Sequence, residues 1–592
     1  MRGVRRRLEN LAAVGVAMLV CVAHPRAQVP DAPVGQWAQY EAEAPKSILE
    51  LQPFRRDAHR AIKGERGERL SVTFTNLNPH VDAWFLLTLN GLQRGDRSTY
   101  HLENPDPGHQ RPELSLEPPN AIAVEGLEGG EACLLWQAGA QSALEQAARS
   151  ALPYAPLCGG RLYLRNPVAG HRTSLEEVTQ FLRDHVYGGE EIISFAKAEI
   201  YRDHFLERGA SSSGACSLPA PSSSGAPPAA ATSPAPDEGC VVAGSLGLDL
   251  EADSNGLVPG GWYAVRDLPD VYAGTLAPED LASEFFSGKQ PGVNRLDRIE
   301  SGALVYLVAF DLAHFDLHFA LGTDHPRLDW SPRPPPSVRD ARLPGPDGIG
   351  SAAPLVTNGM VSPADVDRTV ATFAGGFKRE HGAFRYGPFS LVNHGSHYGF
   401  VQQGTIFSKL QPGLATLVAM SDGHIEMKTW TPADDATLGS IRDARQNGVP
   451  LIAYDRARDV SAPGPLVNLW GPGNWSGSAD EVLRTVRAGA CLLVTGSRRF
   501  LIYAYFSAAT PSAMARVFEA YHCRYAMQLD INALEHTYLA LYVRRNHARL
   551  VEHVVQGMEQ CDGRTHEGLA PRFLAVPDDR DFFYVTRQGG SR

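Results

Sequence analysis

Three short segments in the C-terminal half of the chain carry side chains suited to hydrolytic chemistry. The first, AGGFK at 374–378, directly follows a strand-like run. Paired glycines at a strand end permit positive φ and a close approach of backbone to ligand, and Lys378 adds a cation. We therefore take Lys378 as a candidate catalytic residue, with Gly375, Gly376 and Phe377 as candidate substrate-binding residues. An ordinary hairpin turn with a surface lysine is the alternative interpretation.

The second segment is QLDIN at 528–532. Apolar residues alternate up to Leu529, which places Asp530 near the end of a buried strand and Asn532 where the chain turns. A carboxylate in a pocket has its pKa tuned by burial and by its neighbours, as general acid/base work requires. Asp530 is the main catalytic candidate and Asn532 a substrate-binding one, whereas an aspartate that caps a turn is the alternative.

The third segment places Arg487 before the strand-like run ACLLVT. A planar guanidinium donates two parallel hydrogen bonds to phosphate oxygens, so Arg487 is a third catalytic candidate. His394, near His397, is a further substrate-binding candidate that could titrate near neutrality. Neither His-Glu-x-x-His nor Cys-x-x-Cys occurs, so no zinc motif is present and the metal is unknown, with a divalent cation such as calcium left open.

The composition limits the class of protein. The 592 residues carry a formal charge of -11, with 43% apolar and 20% charged residues. An acidic chain argues against a nucleic-acid partner, because phosphate binding needs a basic face. The length predicts several domains, and the 57 glycines and 43 prolines indicate turn-rich structure.

The first residues resemble a targeting signal. Arginines at 2 and 5–7 precede the apolar run 11–23, which at about 20 Å is short of the roughly 30 Å hydrocarbon core. We expect a signal peptide over 1–27 and a secreted or periplasmic protein, with an uncleaved membrane anchor as the alternative. No later run approaches 18 apolar residues, so no transmembrane domain is expected after this segment. In an oxidising compartment Cys133–Cys158 and Cys216–Cys240 are the plausible disulfides.

The elements that must position these residues fall into four regions after the signal. We predict a β-rich, sandwich-like accessory domain over 28–165 and a helical segment over 166–208, with Ser174 and Glu177 as a capping box. A Ser/Pro/Ala/Gly-rich linker follows over 209–239, and a catalytic-type domain over 240–592. Within that last domain, helical signals at 431–448 and 510–523 both open with Thr-Pro.

The order of the C-terminal motifs resembles the phosphodiester glycosidase family over about 300–545. The similar stretches are TVATFAGGFK, YGFVQQGTIFSKLQPGLATLVAMSDGHIEMKTW, RAGACLLVTGSRRFLIYAY and YAMQLDIN. The resemblance implies an α+β fold, with a curved, mainly antiparallel sheet and helices in the C-terminal domain. It also implies the roles assigned above to Gly375, Arg487 and Asp530. The chain departs from the family pattern at Ala374, at Lys378 and at 531–533.

Two functions stay open at this point. The resemblance implies an exported hydrolase that acts on a glycosyl-1-phosphodiester or a related cell-envelope glycan bond, with a glycan or sugar phosphate as its partner. Glycoside cleavage usually takes two carboxylates, and Glu535 or Asp455 is the candidate for the second. The departures from the family pattern favour the alternative, a catalytically degenerate glycan-binding envelope protein. The oligomeric state is unknown.

Overall fold

The computed structural model describes seventeen stretches of the chain. These are 45–63, 69–91, 97–115, 121–126, 130–136, 142–173, 176–178, 206–208, 210–212, 225–233, 240–252, 256–324, 327–384, 388–391, 399–469, 484–565 and 568–589. Residues 1–27 and most of 166–208 lie outside them, as does His394.

Antiparallel strands supply most of the regular structure. The strands of the N-terminal part are β1 Arg56–Lys63, β2 Arg69–Asn76, β3 Trp84–Asn90, β4 Arg97–Glu103, β5 Arg111–Leu114, β6 Ala121–Glu125, β7 Glu131–Leu134, β8 Tyr154–Leu157, β9 Leu162–Arg165, β10 Ala210–Ser212 and β11 Cys240–Val242. The strands of the C-terminal part are β12 Tyr263–Ala264, β13 Val271–Leu276, β14 Val305–Asp311, β15 Phe315–Ala320, β16 Thr369–Ala374, β17 Phe400–Gln402, β18 Thr405–Ser408, β19 Ala415–Met420, β20 Ile425–Thr429, β21 Ile441–Gln446, β22 Ile452–Asp455, β23 Val460–Pro463, β24 Thr485–Thr495, β25 Arg498–Ala509, β26 Tyr525–Ile531, β27 Leu539–Arg545, β28 Ala548–His553, β29 Gly563–Thr565, β30 Gly568–Ala570 and β31 Phe582–Arg587.

The helices are short. The α-helices are α1 Ala143–Arg149, α2 Ser283–Phe286, α3 Arg298–Ser301, α4 Pro363–Val366, α5 Arg379–Gly382 and α6 Pro511–Ala520. The 3-10 helices are Cys158–Gly160, Pro278–Asp280, Pro336–Val338, Pro388–Ser390, Pro432–Ser440 and Met558–Cys561.

The expected α+β class is wrong. The structure is mostly antiparallel sheet, with 40% strand and 14% helix, so helices do not form a layer of the fold. One predicted helix shows why: the segment 431–448 begins as the 3-10 helix Pro432–Ser440 and then becomes strand β21, all of it buried or half-buried. Sheet neighbours on both sides override the helical pattern of its sequence. The helix predicted over 510–523 is confirmed as α6, whose N-cap Thr510 accepts from the amide of Ala513.

Two sheets of the N-terminal part face one small core. One has the order β1-β2-β3-β4-β9-β8 and the other the order β5-β6-β7. Their apolar side chains, such as Phe74 and Phe85 from the first and Ile122 from the second, share one cluster. The predicted Cys133–Cys158 bridge ties the second sheet to the end of β8. Cys240 is also disulfide-bonded, and the partner predicted for it, Cys216, lies outside the described residues.

Three larger sheets form the C-terminal core. Their strand orders are β12-β13-β14-β25-β24-β26-β22-β23, β15-β31-β16-β27-β28 and β18-β17-β21-β19-β20. Helix α6 packs on the first sheet at Gly489, where an added Cβ would lie 2.8 Å from the Met514 methyl. The Cys491–Cys523 disulfide joins β24 to the chain just after α6. The result is a rigid frame around the end of β26, where Asp530 lies.

Parts of the predicted linker pack against this frame. Strand β10 pairs with β11, and the Trp262 indole donates to the carbonyl of Pro228 at 2.8 Å. Ala230 is buried. Small residues allow this close packing, although their composition is also typical of a free linker. Among the described residues, no helix is long and apolar enough to cross a bilayer.

Candidate functional site

Asp530 lies at the end of a fully buried strand. Residues of β26 are buried along their whole length, as the alternation in the sequence predicts. One carboxylate oxygen of Asp530 accepts from the Ile531 amide at 2.8 Å and the other from Arg580 Nη1 at 3.0 Å. Burial raises the pKa of Asp530 above its ordinary value, although the positive charge of Arg580 opposes this rise.

The Arg580 guanidinium contacts three side chains that can carry a charge or exchange a proton. Besides Asp530, its guanidinium contacts Glu176 Oε1 and His536 Nε2, both at 2.6 Å. The carbonyl of Ile531 can only accept, so His536 Nδ1, 2.7 Å away, carries the proton and Nε2 accepts from Arg580. Two carboxylates and an imidazole thus share one guanidinium.

Glu176 reaches this cluster from the N-terminal half of the chain. It lies on a helical turn at 176–178, where its carboxylate also accepts from the Thr173 amide at 3.0 Å. This capping pair is one residue earlier than the predicted Ser174–Glu177 pair, and Ser174 lies outside the described residues. Burial alone would raise the pKa of Glu176, but the charge of Arg580, with that of Arg572, holds this pKa well below its usual range.

The Gly375-Gly376 turn encloses a protein cation. The Gly375 amide donates to the carbonyl of Asp581 at 2.9 Å. Gly376 has φ 137°, and an added Cβ would lie 2.6 Å from Arg445 Nη1. Arg445 in turn forms a buried ion pair with Asp581. The close approach predicted for these glycines is therefore made by the Arg445 guanidinium.

Asn447 connects the first motif to the strand that carries Asp530. Its side-chain oxygen accepts from the Phe377 amide at 3.2 Å, and its nitrogen donates to the carbonyls of Gln528 and Leu529 at 2.6 and 2.7 Å. The structure thus brings the segments 374–378 and 528–532 together through one fully buried amide.

The Gly376→Ala variant tests this account of the turn. We expect a loss of about 2–4 kcal/mol in the free energy of unfolding, because the methyl group meets Arg445 and the φ is unfavourable for alanine. Gly496→Ala is the matched control, because Gly496 has φ 58° with nothing within 4 Å of the added Cβ. Urea unfolding of both variants checks the difference, and equal losses would contradict the steric part of the argument.

Lys378 lies at the edge of the same cluster. Its ammonium group is 3.2 Å from Asp579 Oδ2 and 4.0 Å from Asp324. Arg172, on the segment that leads to Glu176, also bonds both of these carboxylates. Lys378 and Arg172 therefore both contact Asp579. Asp579 directly precedes Arg580, which contacts Asp530, so the two cations adjoin the Asp530 cluster.

Arg487 is buried in the interior of the protein and forms its hydrogen bonds there. It has no exposed surface, and it donates to the carbonyl of Ala509 at 2.6 Å and to Gln528 Oε1 at 3.1 Å. Burial lowers the pKa of its guanidinium to about 9, although Glu300 opposes the shift. Arg487 therefore supports strand β26 through its hydrogen bond to Gln528, which lies two residues before Asp530.

The remaining predicted residues have different environments. Asn532 has φ 84° and its side chain accepts from the Thr485 hydroxyl at 3.2 Å, next to Asp530. Glu535 is buried, and its carboxylate lies 4.0 Å from His536 Nε2. Asp455 lies on the exposed β22–β23 hairpin. Of the two proposed second carboxylates, only Glu535 is part of the cluster.

A cavity of about 520 Å³ lies near the edge of the cluster, and it is not lined by Lys378, Arg172 or Asp530. Asp324, which contacts both cations, is part of its wall, as are the apolar side chains of Val168, Leu328 and Leu355. This volume is in the range of small-molecule sites. The charged residues of its wall are Asp324, Arg327 and Asp329, so the mixed walls suit a ligand with a carbon frame and polar groups.

In the part of the chain that the structure describes, no group of three His, Cys, Asp or Glu side chains is arranged to hold a metal ion. The carboxylates of the cluster are instead paired with guanidinium groups. Arg572, for example, bonds both oxygens of Asp578 at 2.7 and 3.0 Å.

Sequence reasoning missed several residues of the cluster. They are Glu176, Arg445, Asn447, Asp579, Arg580 and Asp581. One signal was available: the run Asp578–Asp581 directly precedes the apolar strand β31, although four consecutive charged residues are usually a solvated turn. In the structure all four are buried. A run of charged residues directly before a core strand is therefore a signal for buried ion pairs.

Comparison with known proteins gives only weak similarity. No family model matches the chain, and no curated protein matches its sequence. The catalytic domain of zebrafish N-acetylglucosamine-1-phosphodiester alpha-N-acetylglucosaminidase, auto-inhibited by its pro-peptide, is similar over 55% of this chain and 85% of that chain, with 8% identity and a TM-score of 0.27. A hypothetical protein from Synechocystis is similar over 89% of this chain and 99% of that chain, with 11% identity and a TM-score of 0.23. Similarity at this level does not establish a family or an activity.

Proposed function

We propose that this protein is a hydrolase that cleaves a glycosyl-1-phosphodiester or a related cell-envelope glycan bond. The observation that carries the proposal is the contact of Asp530 and His536 with the single guanidinium of Arg580. A buried carboxylate and an imidazole beside a fixed cation supply proton transfer and charge stabilisation in one place.

The proposed reaction uses Asp530 as the general base. Asp530 accepts a proton from water while the water oxygen attacks the anomeric carbon of the sugar. The bond from that carbon to the phosphate oxygen breaks, and its electron pair leaves with the phosphomonoester. The proton then passes from Asp530 to solvent. A phosphate leaving group is already a weak base, so this step needs no separate general acid.

Lys378 and Arg172 are the proposed partners of the phosphate charge. They share Asp324 and Asp579, and the side chain of Asp324 is 40% exposed at the cavity. An anionic substrate can therefore take the place of Asp324 beside the two cations. Arg487, which sequence analysis assigned to this role, is fully buried in other hydrogen bonds.

Sugar release from synthetic glycosyl phosphodiesters tests the proposal. The purified full chain is incubated with a panel that differs in the sugar and in the alcohol, with calcium and with a chelator. Release of free sugar together with the phosphomonoester, above the rate without protein, is the expected result. No release from any member of the panel would contradict the proposed activity.

A glycan-binding protein without catalysis is the second candidate. Arg445 occupies the space beside Gly376, so a substrate cannot enter it. This favours the second candidate. Calorimetry with the same phosphodiesters distinguishes the two. Saturable binding with no sugar release would support the second candidate.

Export of the protein is a further part of the proposal. It is supported by the basic and apolar residues of 1–27 and by two disulfides, Cys133–Cys158 and Cys491–Cys523, which persist in oxidising compartments. N-terminal sequencing of protein expressed in a Gram-negative bacterium should give Gln28 as the first residue. An intact N-terminus in the membrane fraction would indicate an anchor instead.

A further inference from the structure

A second cavity, of about 290 Å³, lies between helix α6 and the loop that follows α2. Three of the residues that line it are cationic, namely Lys289, Arg295 and Arg516, and none is acidic. The chain as a whole carries a net charge of -11, so the lining of this cavity is opposite in sign to the chain. The residues of the Asp530 cluster do not contribute to it.

Arg516 places a buried positive charge at the base of this cavity. It is 1% exposed, and its hydrogen bonds go to neutral oxygens. They are the carbonyl of Phe285, which is the closest acceptor, and the carbonyls of Asn294 and Gly288 with the side chain of Gln290, at 3.2–3.5 Å. These acceptors satisfy the hydrogen-bonding groups of Arg516, but none of them carries a negative charge that would neutralise the guanidinium. Burial accordingly lowers the pKa of Arg516.

The nearest carboxylates have other partners. Glu519 accepts from Gln290 at 2.6 Å, and Glu300 accepts from the amide and hydroxyl of Thr510. Both attract the charge of Arg516, but neither forms an ion pair with it among the described residues. Lys289 and Arg295 are exposed and form no ion pair with any described residue either. Three cations therefore surround one space without an acidic partner.

We propose that this cavity binds a phosphate group, either as inorganic phosphate or as a small phosphomonoester. Arg516 contributes its charge, because its N–H groups already donate to protein oxygens. The exposed side chains of Lys289 and Arg295 supply the hydrogen-bond donors and match the second negative charge of a tetrahedral oxyanion. The cavity is larger than phosphate alone requires, so a small organic substituent also fits. This site does not depend on the hydrolase activity proposed above.

Calorimetry on the full chain tests the proposal, with inorganic phosphate and glycerol phosphate as probes and chloride at equal ionic strength as the reference. We expect saturable binding of phosphate. The double variant Lys289→Ala/Arg295→Ala should weaken it by about tenfold or more, because two of the three charges are removed. Both side chains are exposed, so the variant is expected to fold like the native protein.

Arg298→Ala is the matched control, because Arg298 is an exposed arginine nearby in sequence that does not line the cavity. Its phosphate affinity should stay within about twofold of the native value. Tighter binding of glycerol phosphate than of phosphate would identify a phosphomonoester as the ligand, and equal binding would identify phosphate itself. Absence of binding to the native chain, or equal weakening in both variants, would overturn the proposal.

Discussion

The Asp530→Asn variant should release sugar from a glycosyl phosphodiester about a hundredfold to ten-thousandfold more slowly than the native protein, the range expected for loss of a positioned base. Asparagine keeps the size of the side chain and can still accept from the Ile531 amide. It removes the negative charge that pairs with Arg580 and the site that accepts the proton. The fold should persist, because Arg580 keeps its ion pair with Glu176 and the strand around Asp530 is packed along its whole length.

Asp455→Asn is the control for this experiment. Asp455 was the other strand-end aspartate considered from the sequence, and it lies on an exposed hairpin, so its replacement should leave the rate unchanged. Equal rates for the native protein and Asp530→Asn would contradict the role of Asp530. Circular dichroism and urea unfolding of both variants show whether any loss of rate comes from unfolding.

The pH profile of the native protein gives a second measurement on the same carboxylate. A general base works only when it is ionised, so the rate should fall as the pH falls through the pKa of Asp530. Burial raises this pKa, so the acid limb should lie at higher pH than for an ordinary aspartate. An acid limb below the ordinary range of an aspartate would contradict the proposed role.

Local patterns in the sequence were enough to find the strand ends of the candidate site. Alternation up to Leu529 placed Asp530 at the end of β26, and the apolar run before Gly375 became β16. Thr-Pro at 510 marked the start of α6. These features depend on neighbours along the chain, which is why a single sequence contains them.

Long-range pairing could not be predicted in the same way. Arg580 and Asp530 are 50 residues apart, and Glu176 joins Arg580 from 404 residues away. The hydrophobic periodicity of a segment does not show which carboxylate will pair with a buried arginine. Arg487 shows the same limit in another way. An arginine is suited to bind phosphate, but the sheet places Arg487 against Ala509 and Gln528. The helix expected over 431–448 failed for a related reason, because pairing in a sheet is decided by strands far along the chain.

The largest effect on stability is expected from Arg445→Met. Arg445 and Asp581 form an ion pair with 0% and 1% of their side chains exposed. Removing the cation breaks this buried ion pair from one side, which typically costs about 3–5 kcal/mol. It also removes the donors to the carbonyls of Phe377 and Gln446, both at 2.8 Å. The Gly376 turn should loosen as a consequence.

Arg458→Met is the matched control, because Arg458 pairs with Asp455 at 3.7 Å on the surface, where its side chain is 82% exposed. Solvent screens such pairs, so its unfolding midpoint should be close to the native value. The double variant Arg445→Met/Asp581→Leu should recover part of the loss, since it removes the buried carboxylate as well. Urea unfolding that places Arg445→Met within about 1 kcal/mol of the native protein would show that this ion pair does not hold the Gly376 turn in place.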